Sequence, residues 1–332
     1  MSGSISSEAL TDELVRLGQL RAGSSADIPV SNARPWFISI VLGFSGWLAG
    51  IFVLLFVGML FKPDTPPGIA FCGLILLAAA FGLYAVDRHS AFFDQLALAL
   101  SIAGQIALTL AALDATDSAA ATAALVALLQ VILLFVMPND LAKVLAAFFT
   151  CCAWALAIRF AWWGEQGFHD AVPSVALAPA LMGWIVVWAP ILGAVHALVS
   201  TEHQWMAHSL RRIARPALSG FLIGLCAATW VSEPFGSLMF WEEQARTNWL
   251  AIWPLLGAGA ALFAAVYSFR LRNRALIGVA IAGALLHLAQ FYYLLGTSLL
   301  IKSGIMIGVG IAALLVATWL RQQHSPNERH AR

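Results

Sequence analysis

The chain has 332 residues, of which 61% are apolar and only 11% are charged, with 18 Lys and Arg against 17 Asp and Glu. A soluble domain is about 45–50% apolar and about 25% charged. A chain this poor in charge cannot cover a water-facing surface, so its apolar excess has to face lipid. The composition excludes a soluble enzyme and a nucleic-acid binder, and it predicts an integral membrane protein.

The apolar residues suffice for about ten membrane crossings, because one span needs about 20 of them. Breaking the apolar runs at charge clusters and at Pro/Gly/Asp-rich stretches predicts an all-α bundle of ten transmembrane spans. In chain order they are Trp36–Phe61, Gly68–Val86, Phe92–Leu113, Ala119–Met137, Leu141–Trp163, Ser174–Ser200, Pro216–Ser232, Trp249–Ser268, Ala275–Leu295 and Leu299–Leu320. The seventh span is short and requires Pro216 at the first helical position, where a missing N–H costs nothing.

The basic residues indicate an orientation. With the N-terminus in the cytoplasm, all but four of the 18 Lys and Arg residues lie on the inner side, and the exceptions are Lys62, Arg159, Arg246 and Lys302. Because cytoplasmic loops carry an excess of Lys and Arg, this distribution predicts N-in, C-in topology. The chain then divides into a cytoplasmic tail (1–35), a transmembrane domain (36–320) and a second cytoplasmic tail (321–332).

The N-terminal tail has leucines at helical spacing between polar residues. They are Leu10, Leu14, Leu17 and Leu20. This pattern predicts a short amphipathic helix in the cytosol or on the inner leaflet, and an unstructured tail is the alternative.

Glycines four residues apart predict packing faces, because helices in lipid associate through close backbone approach. The first, seventh and tenth spans each contain one such pair: Gly46 and Gly50, Gly220 and Gly224, and Gly304 and Gly308. Gln105 and Gln130 lie near the middle of adjacent antiparallel spans. We expect a hydrogen bond between these amides, contributing about 1 kcal/mol, rather than a catalytic role.

Charged side chains in the bilayer interior are costly and therefore mark functional candidates. No Asp or Glu falls at mid-depth, which argues against a proton- or sodium-coupled pump. Four charged residues lie within about one turn of a span end, where cations snorkel and a carboxylate stays hydrated. These are Lys143, Arg159, Lys302 and Asp94.

Two histidines lie inside the predicted spans. His196 is about four residues, and His287 about 12 residues, from the inner end of its span, a depth difference of about 12 Å that argues against one shared haem iron. His287 and Gln290 share a helix face and are the best polar pair at depth. A helix–helix hydrogen bond is the simplest interpretation of His287. If the protein carries a proton or binds a quinone, this pair is the place to look.

Motifs for metals, cofactors and nucleotides are missing from the sequence. The four cysteines fall inside predicted spans, where they act as small apolar residues, and they are Cys72, Cys151, Cys152 and Cys226. No Cys/His metal spacing, GxxxxGK[ST] motif or GxGxxG motif at a strand–helix junction occurs. We expect no metal, no cofactor and no nucleotide or nucleic-acid partner.

The longest predicted outer loop runs from Ser232 to Thr247 and combines apolar with acidic residues. The residues of interest in it are Phe240, Trp241, Glu242 and Glu243. An interfacial helix packed against lipid is one interpretation. A surface that docks a partner is the other.

Two stretches resemble a known family. The first joins RPWF at Arg34–Phe37 to GFSGWLAG at Gly43–Gly50, and the second joins FYYLL at Phe291–Leu295 to LLIKSG at Leu299–Gly304 and on to Gly308. They are similar to the bacterial inner-membrane family known as domain of unknown function 4401. The resemblance implies a polytopic protein found beside another multispanning family and beside proteins of the GDYXXLXY family. It carries over no catalytic residue.

Three functions follow as alternatives. A non-catalytic subunit of a membrane assembly is favoured by the lack of deep charges and cofactor motifs. A secondary transporter or channel-like protein fits ten spans, which can conceal an inverted five-plus-five repeat. A membrane redox protein would use His287 and His196.

Overall fold

The structure, a computed structural model, describes residues 36–86, 91–163, 177–202, 210–231, 252–271, 273–294 and 299–324, and the single residues 16 and 204. These residues form ten long α-helices and contain no strand, which confirms the all-α prediction. The helices are α1 (Trp36–Phe61), α2 (Pro66–Val86), α3 (Ala91–Thr116), α4 (Ala119–Val136), α5 (Asp140–Trp163), α6 (Leu177–Ser200), α7 (Arg211–Val231), α8 (Ile252–Arg270), α9 (Arg274–Leu294) and α10 (Leu299–His324).

Seven of the described helices are long and apolar enough to cross a membrane, namely α1 to α6 and α9. Large apolar side chains are exposed on them, such as Phe44, Phe52 and Met59 on α1. Exposing so continuous an apolar surface to water is unfavourable, whereas exposing it to lipid is not. The protein is therefore a multi-pass membrane protein.

Two hydrophobic cores share one helix pair. The first core lies among α1 to α5 and one face of α7, and includes Leu76 and Ala147. The second lies among α5 to α9 and includes Trp188 and Leu222. Residues of α5 and α7 belong to both cores. The α5–α7 contact therefore joins the two halves of the bundle.

Glycines permit the closest of these helix contacts. A Cβ at Gly50 of α1 would lie 2.8 Å from the Cβ of Ala99, and a Cβ at Gly224 of α7 would lie 2.8 Å from the Cβ of Cys151. Gly46 and Gly220 approach backbone carbonyls of α3 and α5 in the same way. The packing faces predicted in the first and seventh spans are confirmed.

The tenth span differs from this prediction. A Cβ at Gly304 or Gly308 of α10 would meet no atom within 4 Å in the described part of the chain. The expected packing face therefore has no partner within the described helices. Sequence spacing also missed the mutual contact of Gly73 on α2 with Gly104 on α3, because the two glycines belong to different helices. A Cβ added to either of them would approach the carbonyl oxygen of the other.

Helix α7 begins about one and a half turns earlier than predicted, at Arg211, so that Pro216 lies inside the helix. The prediction that Pro216 is the first helical residue is wrong. An interior proline has no N–H for the carbonyl four residues before it, here that of Arg212. Lys143 of α5 supplies the missing donor, because its Nζ donates to the Arg212 oxygen at 2.8 Å.

Lys143 does not snorkel to the surface as the sequence suggested. It is only 6% exposed, and besides the Arg212 carbonyl its Nζ lies 3.9 Å from Asp140 Oδ1. A buried ammonium needs such partners, since desolvation penalises an unpaired charge. The proline in α7 and the lysine in α5 are thus complementary parts of one helix contact.

This complementarity predicts a coupled effect on stability. Replacing Lys143 with Met should lower the free energy of unfolding by about 1–3 kcal/mol, because the Arg212 carbonyl loses its donor. In a Pro216→Ala background the loss should be smaller, since the backbone N–H of the introduced alanine can bond that carbonyl. Thermal unfolding of the four proteins in one detergent measures the difference, and equal losses in both backgrounds would contradict the assignment.

Candidate functional site

The predicted hydrogen bond between Gln105 and Gln130 is present. Gln130 Nε2 of α4 donates to Gln105 Oε1 of α3 at 2.7 Å. Gln105 Nε2 in turn donates to Ser101 Oγ at 3.0 Å. Ser101 was not singled out from the sequence, because a helical serine usually bonds the carbonyl of its own preceding turn. Gln130 and Ser101 are 3% and 1% exposed, so this polar unit is enclosed by the bundle.

Further hydrogen bonds connect α3 to α4 and to the residues after it, towards each end of these helices. At one end Thr116 and Thr122 pair their hydroxyls at 3.0 Å, and at the other Asn139 Nδ2 donates to Asp94 Oδ1 at 3.4 Å. In lipid an unpaired polar group is costly, so pairing across the contact stabilises it. We call this row of side chains the α3–α4 seam.

The α3–α4 seam has limited chemical capacity. A cavity of about 10 Å³ adjoins Ser101 and Gln105 and is otherwise lined by apolar residues such as Phe149. This volume corresponds to about one water molecule. Neither an amide nor a serine hydroxyl titrates in the physiological range, so the middle of the seam has no proton carrier. The geometry fits a structural contact between helices.

His287 lies where α7, α8 and α9 meet. It is 0% exposed, and its Nε2 donates to the backbone oxygen of Cys226 on α7 at 2.9 Å. Gln290, three residues further along α9 and 7% exposed, is buried on the same side of the helix, so the pair predicted from the sequence lies inside the bundle. On the α8 side, a Cβ at Gly257 would lie only 2.6 Å from Nδ1 and Cε1 of the imidazole. The ring therefore rests directly on the α8 backbone.

Gly257 was missed by the sequence analysis. Nothing in α8 places a second glycine four residues from it, and its importance arises from a side chain 30 positions further along the chain. A similar contact lies one turn from His287, where a Cβ at Gly283 would come within 2.9 Å of the Cys226 Cβ. Gly257 on α8 thus makes room for the histidine, and Gly283 lets its own helix α9 come close to α7.

This geometry favours a helix–helix contact over a ligand site. The Nε2 atom is engaged by a carbonyl, and Gly257 covers the ring face. His196 belongs to a different location, where its Nδ1 lies 3.0 Å from the hydroxyl of Tyr267 on α8. Counted from the helix ends at 1.5 Å per residue, the two histidines differ in depth by about 14 Å. One haem iron would not reach both.

The other sequence candidates occupy separate positions. Arg159 stacks over the Phe160 ring at 5.7 Å, and Lys302 over the Tyr292 ring at 4.9 Å, each near a helix end. Within the described ranges all four cysteines are free, and no three His, Cys, Asp or Glu side chains group as a metal site would require. Phe240, Trp241, Glu242 and Glu243, and the leucines of the N-terminal tail, lie outside the described residues.

The contact between His287 and α8 can be tested with two neighbouring glycines. Gly257→Ala should lower the free energy of unfolding by about 1–3 kcal/mol, because the new methyl group overlaps the imidazole. Gly259→Ala is the control, since a Cβ there meets no atom of the described residues within 4 Å. The measurement is detergent-solubilised thermal unfolding.

The same substitutions in a His287→Ala background isolate the contact. With the imidazole removed, the effect of Gly257→Ala should largely disappear, while that of Gly259→Ala stays small. An unchanged effect of Gly257→Ala would show that the histidine is not what the methyl group meets.

Comparison with known proteins places this architecture in a family. A family model described as "Domain of unknown function (DUF4401)" matches residues 35–245 and residues 175–323. No curated protein and no solved structure matches the chain significantly. The matched ranges together reach from the residue before α1 into α10, and so include both the α3–α4 seam and the His287 contact. The chain belongs to the family of the domain of unknown function DUF4401.

Proposed function

We propose that the protein is a non-catalytic subunit of a membrane assembly in the bacterial inner membrane, with ten spans and both termini in the cytoplasm. Seven helices meet the length and composition of a span, and α7, α8 and α10 coincide with the three remaining predicted spans. The tails 1–35 and 321–332 would then extend into the cytoplasm.

The distribution of basic side chains supports this orientation. If α7 and α9 both span the bilayer, they run in the same direction, because Cys226 and His287, each past the middle of its helix, are in contact. One end of the bundle, here called the arginine-rich end, therefore holds Arg211, Arg212, Arg215, Arg270 and Arg274. The opposite end has Lys62, Arg159 and Lys302 among the described cations. An excess of arginine at one end is expected of the cytoplasmic side.

The observation that carries the subunit proposal is the open glycine pair of α10. The same spacing is closed by a neighbouring helix in α1 and α7, whereas no atom of the described residues would meet a Cβ at Gly304 or Gly308. Exposed Leu300, Ile311 and Leu315 extend this side of the helix. A helix of another membrane protein could approach here as closely as α3 approaches α1.

The polar residues at depth are consistent with a structural role. The Gln105–Gln130 and His287–Cys226 hydrogen bonds are both made between helices of the bundle. Such bonds stabilise helix association in lipid, each by about 0.6–2 kcal/mol. Because these deep polar groups form contacts within the bundle, we place the function of the protein at its outer surface.

The family resemblance indicates the partners to look for. They are a second multispanning protein and a protein of the GDYXXLXY family, both embedded in or attached to the same bilayer. The predicted outer loop with Phe240, Trp241, Glu242 and Glu243 is the proposed docking surface outside the membrane. A basic partner would complement its acidic pair.

The test is purification of the tagged protein in mild detergent, with mass spectrometry and an absorption spectrum on one sample. We expect stoichiometric recovery of a second membrane protein. Gly304→Val and Gly308→Val should reduce this recovery, because the added side chains hold a partner helix away. Gly310→Val on the same helix is the matched control, since Gly310 also meets no neighbour among the described residues but lies on another side of the helix.

Two other results would contradict the proposal. A colourless single species, recovered without a partner from every mild detergent, would favour a transporter or channel-like protein. A haem absorption band or a bound quinone would favour the redox function and make His287→Ala the next variant.

A further inference from the structure

A cluster of three side chains bridges α6 and α8 at the arginine-rich end. His196 of α6 is exposed, and its Nδ1 lies 3.0 Å from the hydroxyl of Tyr267 on α8. Arg270, the last residue of α8, is also exposed and holds its Cζ 5.6 Å from the centre of the Tyr267 ring. One tyrosine therefore positions both an imidazole and a guanidinium.

Tyr267 is itself firmly placed. It is 9% exposed, belongs to the second core and stacks on Phe263 with ring centres 4.4 Å apart. A ring held in this way limits the movement of the groups that rest on it. Stacking against an aromatic face leaves the N–H edge of a guanidinium available to an oxyanion.

The hydrogen bond to Tyr267 also prepares His196 for an anion. When the tyrosine hydroxyl donates to Nδ1, the neutral imidazole carries its hydrogen on Nε2. A protonated imidazole carries a hydrogen there as well. An oxyanion near Nε2 can accept that hydrogen. Nε2 and the Arg270 guanidinium are then hydrogen-bond donors from two helices that both contact one tyrosine.

The cluster lies at the depth of the lipid headgroups. His196 lies four residues before the end of α6 at Ser200, and Arg270 ends α8, so both lie within about 6 Å of a helix end. The headgroup layers of a bilayer lie just beyond its hydrocarbon core of about 30 Å. Exposed Leu262, about two turns from Arg270 on α8, extends the same helix as an apolar surface for acyl chains.

The positive charge around the cluster also favours an anionic lipid. Arg270 makes no ion pair with any carboxylate in the described ranges, and Arg274 adds a second positive charge at the start of α9. Anionic lipids accumulate where basic side chains meet the membrane surface. We propose that His196, Tyr267 and Arg270 form a binding site for the phosphate of an anionic phospholipid. His196 and Arg270 contact the phosphate, and Tyr267 is the positioning residue.

The test uses the purified full-length protein in an uncharged detergent. Native mass spectrometry measures binding of phosphatidylglycerol, with phosphatidylcholine at the same concentration as the neutral comparison. We expect preferential binding of phosphatidylglycerol and a higher unfolding temperature with it. Arg270→Gln should weaken this binding about tenfold, the effect of losing one charge-assisted hydrogen bond.

Arg159→Gln is the matched control. Arg159 also stacks on an aromatic ring, at 5.7 Å. It lies near the C-terminal end of α5, at the end of the bundle opposite the arginine-rich end. Tyr267→Phe keeps the ring under Arg270 and removes the hydroxyl, so it should weaken lipid binding less than Arg270→Gln does. Arg270→Lys keeps the charge without the planar guanidinium and keeps the site testable if Arg270→Gln fails to fold.

Three results would overturn the proposal. They are equal binding of the two lipids, equal effects of Arg270→Gln and Arg159→Gln, and stabilisation by inorganic phosphate alone to the extent seen with phosphatidylglycerol. The last result would identify a site for a soluble anion. None of these outcomes bears on whether a second membrane protein is recovered. The lipid site and the proposed subunit function are therefore tested independently.

Discussion

The close approach of α5 and α7 is the contact on which the rest of the bundle depends. Gly220 and Gly224 let these helices meet without intervening side chains, and both hydrophobic cores include residues of the pair. In lipid, apolar side chains gain little by leaving the surface, so association relies on dispersion between closely packed backbones and on hydrogen bonds. A larger side chain at either glycine would separate the two cores together.

Polar residues add hydrogen bonds to the close helix contacts that the glycines permit. Pro216 would leave the Arg212 carbonyl without a donor, and Lys143 provides one from the facing helix. His287 bonds the Cys226 carbonyl and rests on Gly257, so one imidazole fixes the spacing of three helices. Because the bilayer core has no water to satisfy such groups, they are strong determinants of which helices become neighbours. This explains deep polar side chains without requiring a reaction at them.

The sequence predicted the features that depend on local pattern. Apolar runs located all ten described helices, and the depth of Gln105 and Gln130 in adjacent spans was enough to predict their hydrogen bond. Features that depend on a distant residue were not accessible. Pro216 was placed at a helix start because the donor from Lys143 cannot be read from spacing, and Gly257 matters only through His287. The glycine pair of α10 had the right spacing, but spacing does not say whether the partner helix belongs to the same chain.

The proposed role of the protein requires that α10 offer its glycine face to another protein. The most direct measurement is a cryo-electron microscopy structure of the assembly purified in mild detergent. We expect a helix of a second membrane protein packed against Gly304 and Gly308, with its backbone about as close as that of α3 is to Gly46. A particle containing only copies of this chain, or one in which lipid alone covers that face, would contradict it.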